Sequence, residues 1–263
     1  MMIMRKTVLY SACPLLALFA STARADDTPA VQNGVTVGIG GEYAPRYSGS
    51  DKQRVQVVPL IQARDNALFF DSQKGLGYDL QTDNGFYLEH TLGYALGRAD
   101  RDSGWRDGAE NLKGMGNIDA TLNTALAVGW QATDWLVLES KATLPLTDSQ
   151  GVQYQASLTL LPVQTTRDTL AFQSAARFGD SRYMNTFYGV SQKQSLRSGY
   201  ARYHAEQGFY GIDNSLTWSH QFDAHWGTLL SANYTWLNDH AADSPIVLRR
   251  NEGSAVIAIT YTF

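Results

Sequence analysis

The last nine residues constrain the fold of this chain more tightly than any other stretch. In 255–263, Ile257, Ile259, Tyr261 and Phe263 fall on one face, with Val256, Ala258, Thr260 and Thr262 on the other. A period of two is strand periodicity, and it predicts a segment with one apolar and one small or polar face. The same pattern returns upstream. In 225–238, Trp226, Leu230, Tyr234 and Trp236 oppose Gly227, Ser231, Asn233 and Thr235. In 209–222, Tyr210, Ile212, Leu216, Trp218 and Phe222 oppose Gly211, Asp213, Ser215 and Thr217. In 117–130, Ile118, Leu122, Leu126, Val128 and Trp130 oppose Asn117, Asp119, Thr121, Asn123 and Gly129. No segment after residue 25 shows a helical period.

Soluble sandwiches also alternate, so other features must choose between the two solvents. The polar face here is rich in Gly, Ser, Thr and Asn, with isolated Glu42, Glu89, Glu139, Lys141 and Arg177. That composition suits a crowded lumen better than a Lys/Glu-rich solvent face. Aromatic residues gather near strand ends, as Tyr210 and Phe222 or Trp226 and Trp236 do, and lipid-facing barrels carry such girdles at both interfaces. The chain also stops on Phe263 after an alternating strand, which resembles the recognition signal of the outer-membrane barrel assembly machinery. At the other end, Arg5 and Lys6 precede an apolar run over 7–20, and Ala23-Arg24-Ala25 is a small-x-small cleavage site. That run is shorter than the roughly 20 residues a spanning helix needs, so 1–25 reads as a cleaved signal peptide. Cys13 precedes most of the apolar run, whereas a lipidation cysteine follows it. The expectation is an all-β protein: an antiparallel, up-and-down transmembrane β-barrel in the Gram-negative outer membrane, with membrane lipid and the assembly machinery as partners.

Loop lengths predict the topology. Short links fall at Asp65-Asn66, Asp83-Asn84, Ala132-Thr133, Thr165-Thr166 and Asp223-Ala224, all rich in turn formers. Longer links fall at 45–53, 98–115, 181–208 and 239–252, with a shorter one at 147–150. Bacterial barrels keep short turns in the periplasm, long loops outside and an even strand number. Starting upward at Gly34, these rules hold only if 67–82 is two short strands bent near Lys74-Gly75. That gives twelve strands, or ten if the hairpin lies outside the wall. Residues 26–33 read as a loose lead-in, and 34–263 as one barrel domain.

Charge and spacing narrow the chemistry. Losing Arg5, Lys6 and Arg24 with the leader takes the formal charge from −4 to −7, and no basic cluster points to nucleic acid. The five histidines are followed two residues later by Leu92, Glu206, Phe222, Gly227 and Ala242. None is serine, so the His-x-Ser pair of barrel acyl hydrolases is missing. Asp239-His240 with Asp243 reads as a solvated loop rather than a protease rim, and the histidine spacing argues against a transition-metal site. The acidic run Asp100, Asp102, Asp107 and Glu110 is interleaved with Arg101 and Arg106, which disfavours calcium. No cofactor, metal or catalytic residue is expected. Two readings of the lumen charges stay open, a narrow selective pore or internal neutralisation.

Four stretches carry a family resemblance. They are Tyr43-Ala44-Pro45-Arg46-Tyr47-Ser48-Gly49-Ser50-Asp51 followed by Val58-Pro59-Leu60, and then Lys74-Gly75-Leu76-Gly77-Tyr78-Asp79-Leu80. The third runs from Tyr183-Met184-Asn185-Thr186-Phe187-Tyr188-Gly189-Val190 to Gln194, Ser195, Ser198-Gly199 and Tyr203. The fourth is Ala241-Ala242-Asp243-Ser244-Pro245-Ile246-Val247, with Gly253-Ser254 beyond. The chain resembles the MipA/OmpV family of outer-membrane proteins, departing from its pattern at Phe187-Tyr188 and Asn238-Asp239-His240. The resemblance implies a non-enzymatic scaffold that holds a lytic transglycosylase and a bifunctional penicillin-binding protein for peptidoglycan turnover. The residues leave a small-solute channel or a surface-exposed adhesion role as alternatives. Asp243-Ser244-Pro245 reads as a turn, and 183–203 as a segment folding over or into the barrel mouth. Whether these motifs cap the barrel or form a binding site stays open at this level.

Overall fold

A computed structural model describes residues 33–263. The leader and all of the lead-in except Asn33 lie outside the described residues. Twelve strands close into one antiparallel barrel, each paired with its chain neighbours and the first with the last. They are β1 (Gly34–Pro45), β2 (Gln53–Asp65), β3 (Leu68–Asp71), β4 (Gly75–Gln81), β5 (Phe86–Ala95) and β6 (Thr121–Thr133), then β7 (Leu136–Pro145), β8 (Gln153–Gln164), β9 (Asp168–Gly179), β10 (Gly208–Gln221), β11 (Trp226–Leu237) and β12 (Asn251–Thr262). Five links are tight (66–67, 82–85, 134–135, 165–167 and 222–225), and Gly34 and Phe263 lie at that same end. At the first of these turns Asn66 adopts a positive φ of 53°, a conformation Asn tolerates better than most residues. Longer connections at 46–52, 96–120, 146–152, 180–207 and 238–250, with the short 72–74 turn, crown the opposite, extracellular end.

The alternation sorts side chains between lipid and lumen. On β12, Ile257 and Ile259 are 58% and 53% exposed, while Ala258 and Thr260 between and beside them are 2% exposed. Two expected faces are corrected. Tyr210 does not join the lipid girdle, because a β-bulge shifts the β9–β10 register between Arg177/Gly211 and Phe178/Phe209 and turns it inward. Phe209 takes the girdle position instead, packed against Phe178 and Trp236. Ile118 lies before β6, buried in the extracellular loop and bridged to Arg98.

The hairpin β3–β4 belongs to the wall but makes it low. β3 pairs with β2 only through Gln62–Asp65 of the latter, and the turn ends where Ser72 N–H meets the Ile61 carbonyl at 2.9 Å. Above that level the β2 edge has no ladder partner on this side. Pro59 sits there, in the same edge-facing parity as Ile61, where a missing N–H costs no ladder bond.

Inside the barrel the charges are neutralised in pairs. Lys74 holds Glu89 at 2.8 Å and Arg64 holds Asp79 at 2.9 Å, both cations lying over the Phe69 ring. Tyr87 donates to Glu139 at 2.7 Å, and Arg177 pairs with Asp213. Of the expected lumen charges, Glu42, Glu89, Glu139 and Arg177 are therefore partnered, none of them by another expected lumen charge, and Glu139 meets Tyr87 across the intervening β6.

The closing seam depends on small residues. A Cβ on Gly38 would stand 2.7 Å from the Ile259 carbonyl oxygen, and one on Gly40 would stand 2.9 Å from that of Ile257. Nothing lies within 4 Å of a Cβ on Gly41, one position along. Gly38→Val is expected to cost about 1–3 kcal/mol through overpacking at the seam, whereas Gly41→Ala is tolerated. Urea unfolding in micelles, followed by the unboiled-gel mobility of the barrel, measures both; equal loss in the two variants would contradict the seam assignment.

Candidate functional site

The extracellular loops do not stand clear of the barrel. They fold inward as a packed cap whose pieces have local sequence causes. Helix α1 (Ser181–Phe187) starts on Asp180, whose carboxylate accepts from the Tyr183 N–H at 2.7 Å. Helix α2 (Gln192–Ser198) starts on a Ser191–Gln194 capping box and stops at Gly199, which takes a left-handed φ of 81°. A single turn, α3 (Asp239–Ala242), is capped by the Asn238 side chain, and a 3-10 turn covers Glu110–Leu112.

Two apolar clusters hold these pieces together. Tyr47, Ala109, Leu112, Met115, Val190 and Ile246 form one, drawing on four different loops. Met184, Tyr188, Ala205, Tyr210, Leu237 and Ala241 form the other, which joins the cap to the tops of β10 and β11. Hydrogen bonds cross between the same loops. Tyr47 Oη donates to the Ile246 carbonyl at 2.8 Å, Ser244 Oγ to that of Tyr188 at 2.5 Å, and Tyr203 Oη to that of His240 at 3.1 Å. Val190 and Tyr203 exchange two backbone bonds, at 2.8 and 3.0 Å. Gln194 Nε2 donates to the Met115 carbonyl and Tyr200 Oη to that of Asn111, both at 2.9 Å. On the low side of the wall, Arg54 grips Asp107 at 2.7 Å, and Gly108 N–H donates to the Arg46 carbonyl at 2.8 Å.

Beneath the cap lies a polar chamber of about 420 Å³. Arg54, Arg177, Glu42, Asp213 and Glu252 line it, together with the rings of Tyr183, Tyr188 and Tyr210. Gln153 Nε2 ties the Tyr183 and Tyr210 hydroxyls together, at 3.1 and 2.5 Å. Glu42 is bonded by the Gln56 amide, and Glu252 by the Gly49 N–H.

The cap is dry enough to shift its titrating groups. Burial pushes the Tyr47 phenol up to about 12 and raises Tyr183 and Tyr188 as well. Arg98 is lowered by burial; it makes one bond, from Nη1 to the Phe187 carbonyl at 2.7 Å, and lies over the Tyr47 ring.

Most of the sequence-marked positions meet here. Gly49, Tyr183, Phe187, Gly189, Val190, Ser198, Gly199, Tyr203, Asp243, Ser244 and Pro245 build the cap, and Pro45 lines the chamber below it. Asp51 is exposed on the first loop and Tyr43 on the lipid face. Gly75, Gly77 and Tyr78 belong to the β3–β4 hairpin instead, and Phe263 lies at the opposite end of the barrel. Arg54 and Glu252 were not singled out by the sequence. Both sit at lumen parity, two-residue steps from Leu60 and Val256 respectively, so counting along each strand finds them. Leu112 and Met115 carried no comparable signal, because the loop around them has no period. The two acidic stretches considered for other chemistry are held by cations, Asp102 by Arg46 at 3.4 Å and Asp239 by Arg250 at 2.5 Å.

The buried phenols give the cap a pH dependence. Tyr47 has its folded value above the ordinary 10.0, so its stabilisation is intact below about pH 10 and lost as pH rises through about 12. Phenolate absorbance during an alkaline titration should show these tyrosines lagging the exposed ones, and protease sensitivity of the loops should rise with them. Titration of every tyrosine near its ordinary value would contradict the packed cap.

Comparison with known proteins follows the same outline. A family model described as "MltA-interacting protein MipA" matches residues 37–263. YiaT of Escherichia coli, named as an outer membrane protein, is 24% identical over 254 residues, covering 95% of this chain and 98% of that protein. The MltA-interacting protein of Escherichia coli is 36% identical over 77 residues, which is 29% of this chain and 31% of that protein. Among solved structures, an outer membrane channel from Pseudomonas putida superposes with a TM-score of 0.52 at 13% identity, covering 92% of this chain and 100% of that one. At that identity the likeness concerns the fold alone.

Proposed function

The chain belongs to the MltA-interacting protein MipA family of outer-membrane barrels, and from that premise we propose that it serves as a membrane anchor for murein-processing partners. The observation that carries this reading is the sealed mouth. Met184, Leu112 and Ile246 have no exposed surface, and four loops interlock over the chamber, so a packed cap covers the extracellular end. A barrel closed in this way acts through its surfaces. Its partners on this reading are a lytic transglycosylase and a bifunctional penicillin-binding protein, held near each other at the periplasmic face so that wall cleavage and synthesis stay coupled.

The periplasmic face has small area and a mainly acidic rim, with Arg167 as a cation within it. Each of the five tight turns carries an aspartate in it or beside it: Asp65, Asp83, Asp134, Asp168 and Asp223. Short turns supply less than the roughly 800 Å² per partner of a standard interface, so steering by charge matters more than burial. A basic partner surface fits this rim.

Two measurements test the proposal. A lytic transglycosylase should co-purify with the tagged chain from detergent extracts, above the level of an unrelated barrel, and the enrichment should fall as salt rises. No enrichment at low salt removes the anchor reading. In a planar bilayer the folded chain should stay electrically silent, while deletion of 182–206 should produce conductance steps. Steady conductance by the intact chain would favour a channel instead.

A further inference from the structure

The outer surface of the cap carries a second site, independent of the periplasmic face. A cleft of about 870 Å³ lies between α1, α2 and the return segment, lined by Arg182, Asn185, Gln194, Arg202, Tyr203 and His204. Its floor is rigid. Val190 and Tyr203 are joined through their backbones, and the Asn185 side chain bonds the Ala205 backbone in both directions, at 2.9 and 3.1 Å. Arg182 and Arg202 both extend from this platform into the cleft lining.

What remains free in this cleft decides its ligand. The Asn185 amide is used by Ala205 and Ser181, that of Gln194 by Ser191 and Met115, and the Tyr203 hydroxyl by His240. The Asn185, Gln194 and Tyr203 side chains are thus engaged within the fold. The cations are not: among the described residues Arg182 and Arg202 make no ion pair, while Arg46, Arg54, Arg64, Arg177 and Arg250 each hold an aspartate. Lys193 and Arg197 lie on the adjoining α2, so 180–207 carries four cations against Asp180 and Glu206, in a chain of formal charge −4. Guanidinium forks match phosphate oxygens in pairs, and the cleft is much larger than a bare ion.

We propose that this cleft binds a phosphomonoester group at the cell surface. The phosphate chemistry is the same whether it comes from a soluble sugar phosphate or from the headgroup of a phosphorylated glycolipid beside the barrel. Both sources lie on the side of the membrane that the cap faces.

Binding to the folded full chain distinguishes them. Glucosamine 1-phosphate serves as the soluble probe, uncharged glucosamine derivatives as its control, and lipid A in nanodiscs as the headgroup probe. The phosphorylated probe should bind, more weakly as salt rises, and Arg182→Ala with Arg202→Ala should weaken it by about tenfold or more. Replacing both by Lys keeps the charge and loses the fork, so affinity should fall between wild type and the Ala pair. Both arginines are exposed, and unboiled-gel mobility verifies that each variant keeps its barrel. Binding of the soluble probe assigns a free sugar phosphate, and binding of lipid A alone assigns the headgroup. If neither probe binds, or if the Ala pair binds as well as wild type, the proposal is overturned.

Discussion

Inside a bilayer no water satisfies a backbone N–H or C=O, and this fact governs the rest of the molecule. Each unpaired group costs several kcal/mol in hydrocarbon, so a strand that crosses must have a neighbour on both edges. Here the requirement is met by ordinary hairpins around eleven junctions and by one long-range junction, where β1 meets β12. The tolerance at that junction is small, because the two backbones approach over Gly38 and Gly40 without room for a side chain. The exception also follows the rule. Where β2 rises above the short hairpin, the edge carries Pro59, and the 96–120 loop is clipped to the strand ends by Arg54 and Arg46.

Wall and cap answer to different physics. The wall is held by hydrogen bonds along the strands and by lipid, with a lumen kept polar and paired. The cap faces water and behaves like a small soluble core: short capped helices, buried Met184 and Leu112, and tyrosines whose hydroxyls find carbonyls. Its buried cation illustrates the difference. Among the described residues the Arg98 guanidinium has no carboxylate partner and rests on one carbonyl and one ring, an arrangement that only a well-packed surround can sustain. The two units meet at Tyr210, which the β9–β10 bulge redirects from the lipid belt into the second apolar cluster. One extra residue in a strand thus supplies the joint on which the cap is seated.

The wall was legible in the sequence for a simple reason. A period of two with lipid on one side repeats in every strand, and turn parity then leaves little choice of topology. The errors came where a local event breaks the period. A bulge at Tyr210 flips the parity over a single residue, and no pattern of apolar positions announces it. Helices of seven residues are too short to show a 3.6-residue period, and the Ser191–Gln194 capping box and Gly199 that bound α2 emerge only in the structure. The lumen charges were placed on the correct face, but their partners depend on the register across one or two strand junctions, which alternation does not give. The cap was visible only as a long, aromatic loop with a turn at Asp243-Ser244-Pro245. Its interlocking requires contacts such as Tyr47 with Ile246, far apart in sequence, that no local signal encodes.

The distribution of charge then separates the two ends of the molecule. At the tight-turn end, aspartates recur because Asp is a good turn former: Asp223 accepts from the His225 and Trp226 N–H groups, both at 2.8 Å. Turn chemistry alone therefore produces an acidic rim, whatever partner uses it. The cations of 181–208 have no such local explanation. Among the described residues Arg182 and Arg202 neither cap a helix nor pair with a carboxylate, and both stand exposed above a floor in which Asn185, Gln194 and Tyr203 are engaged. Exposed guanidinium side chains are conformationally costly to order and contribute little to a fold when unpaired. The acidic rim is a by-product of turn formation, whereas the basic cleft is what the proposed phosphate ligand would account for.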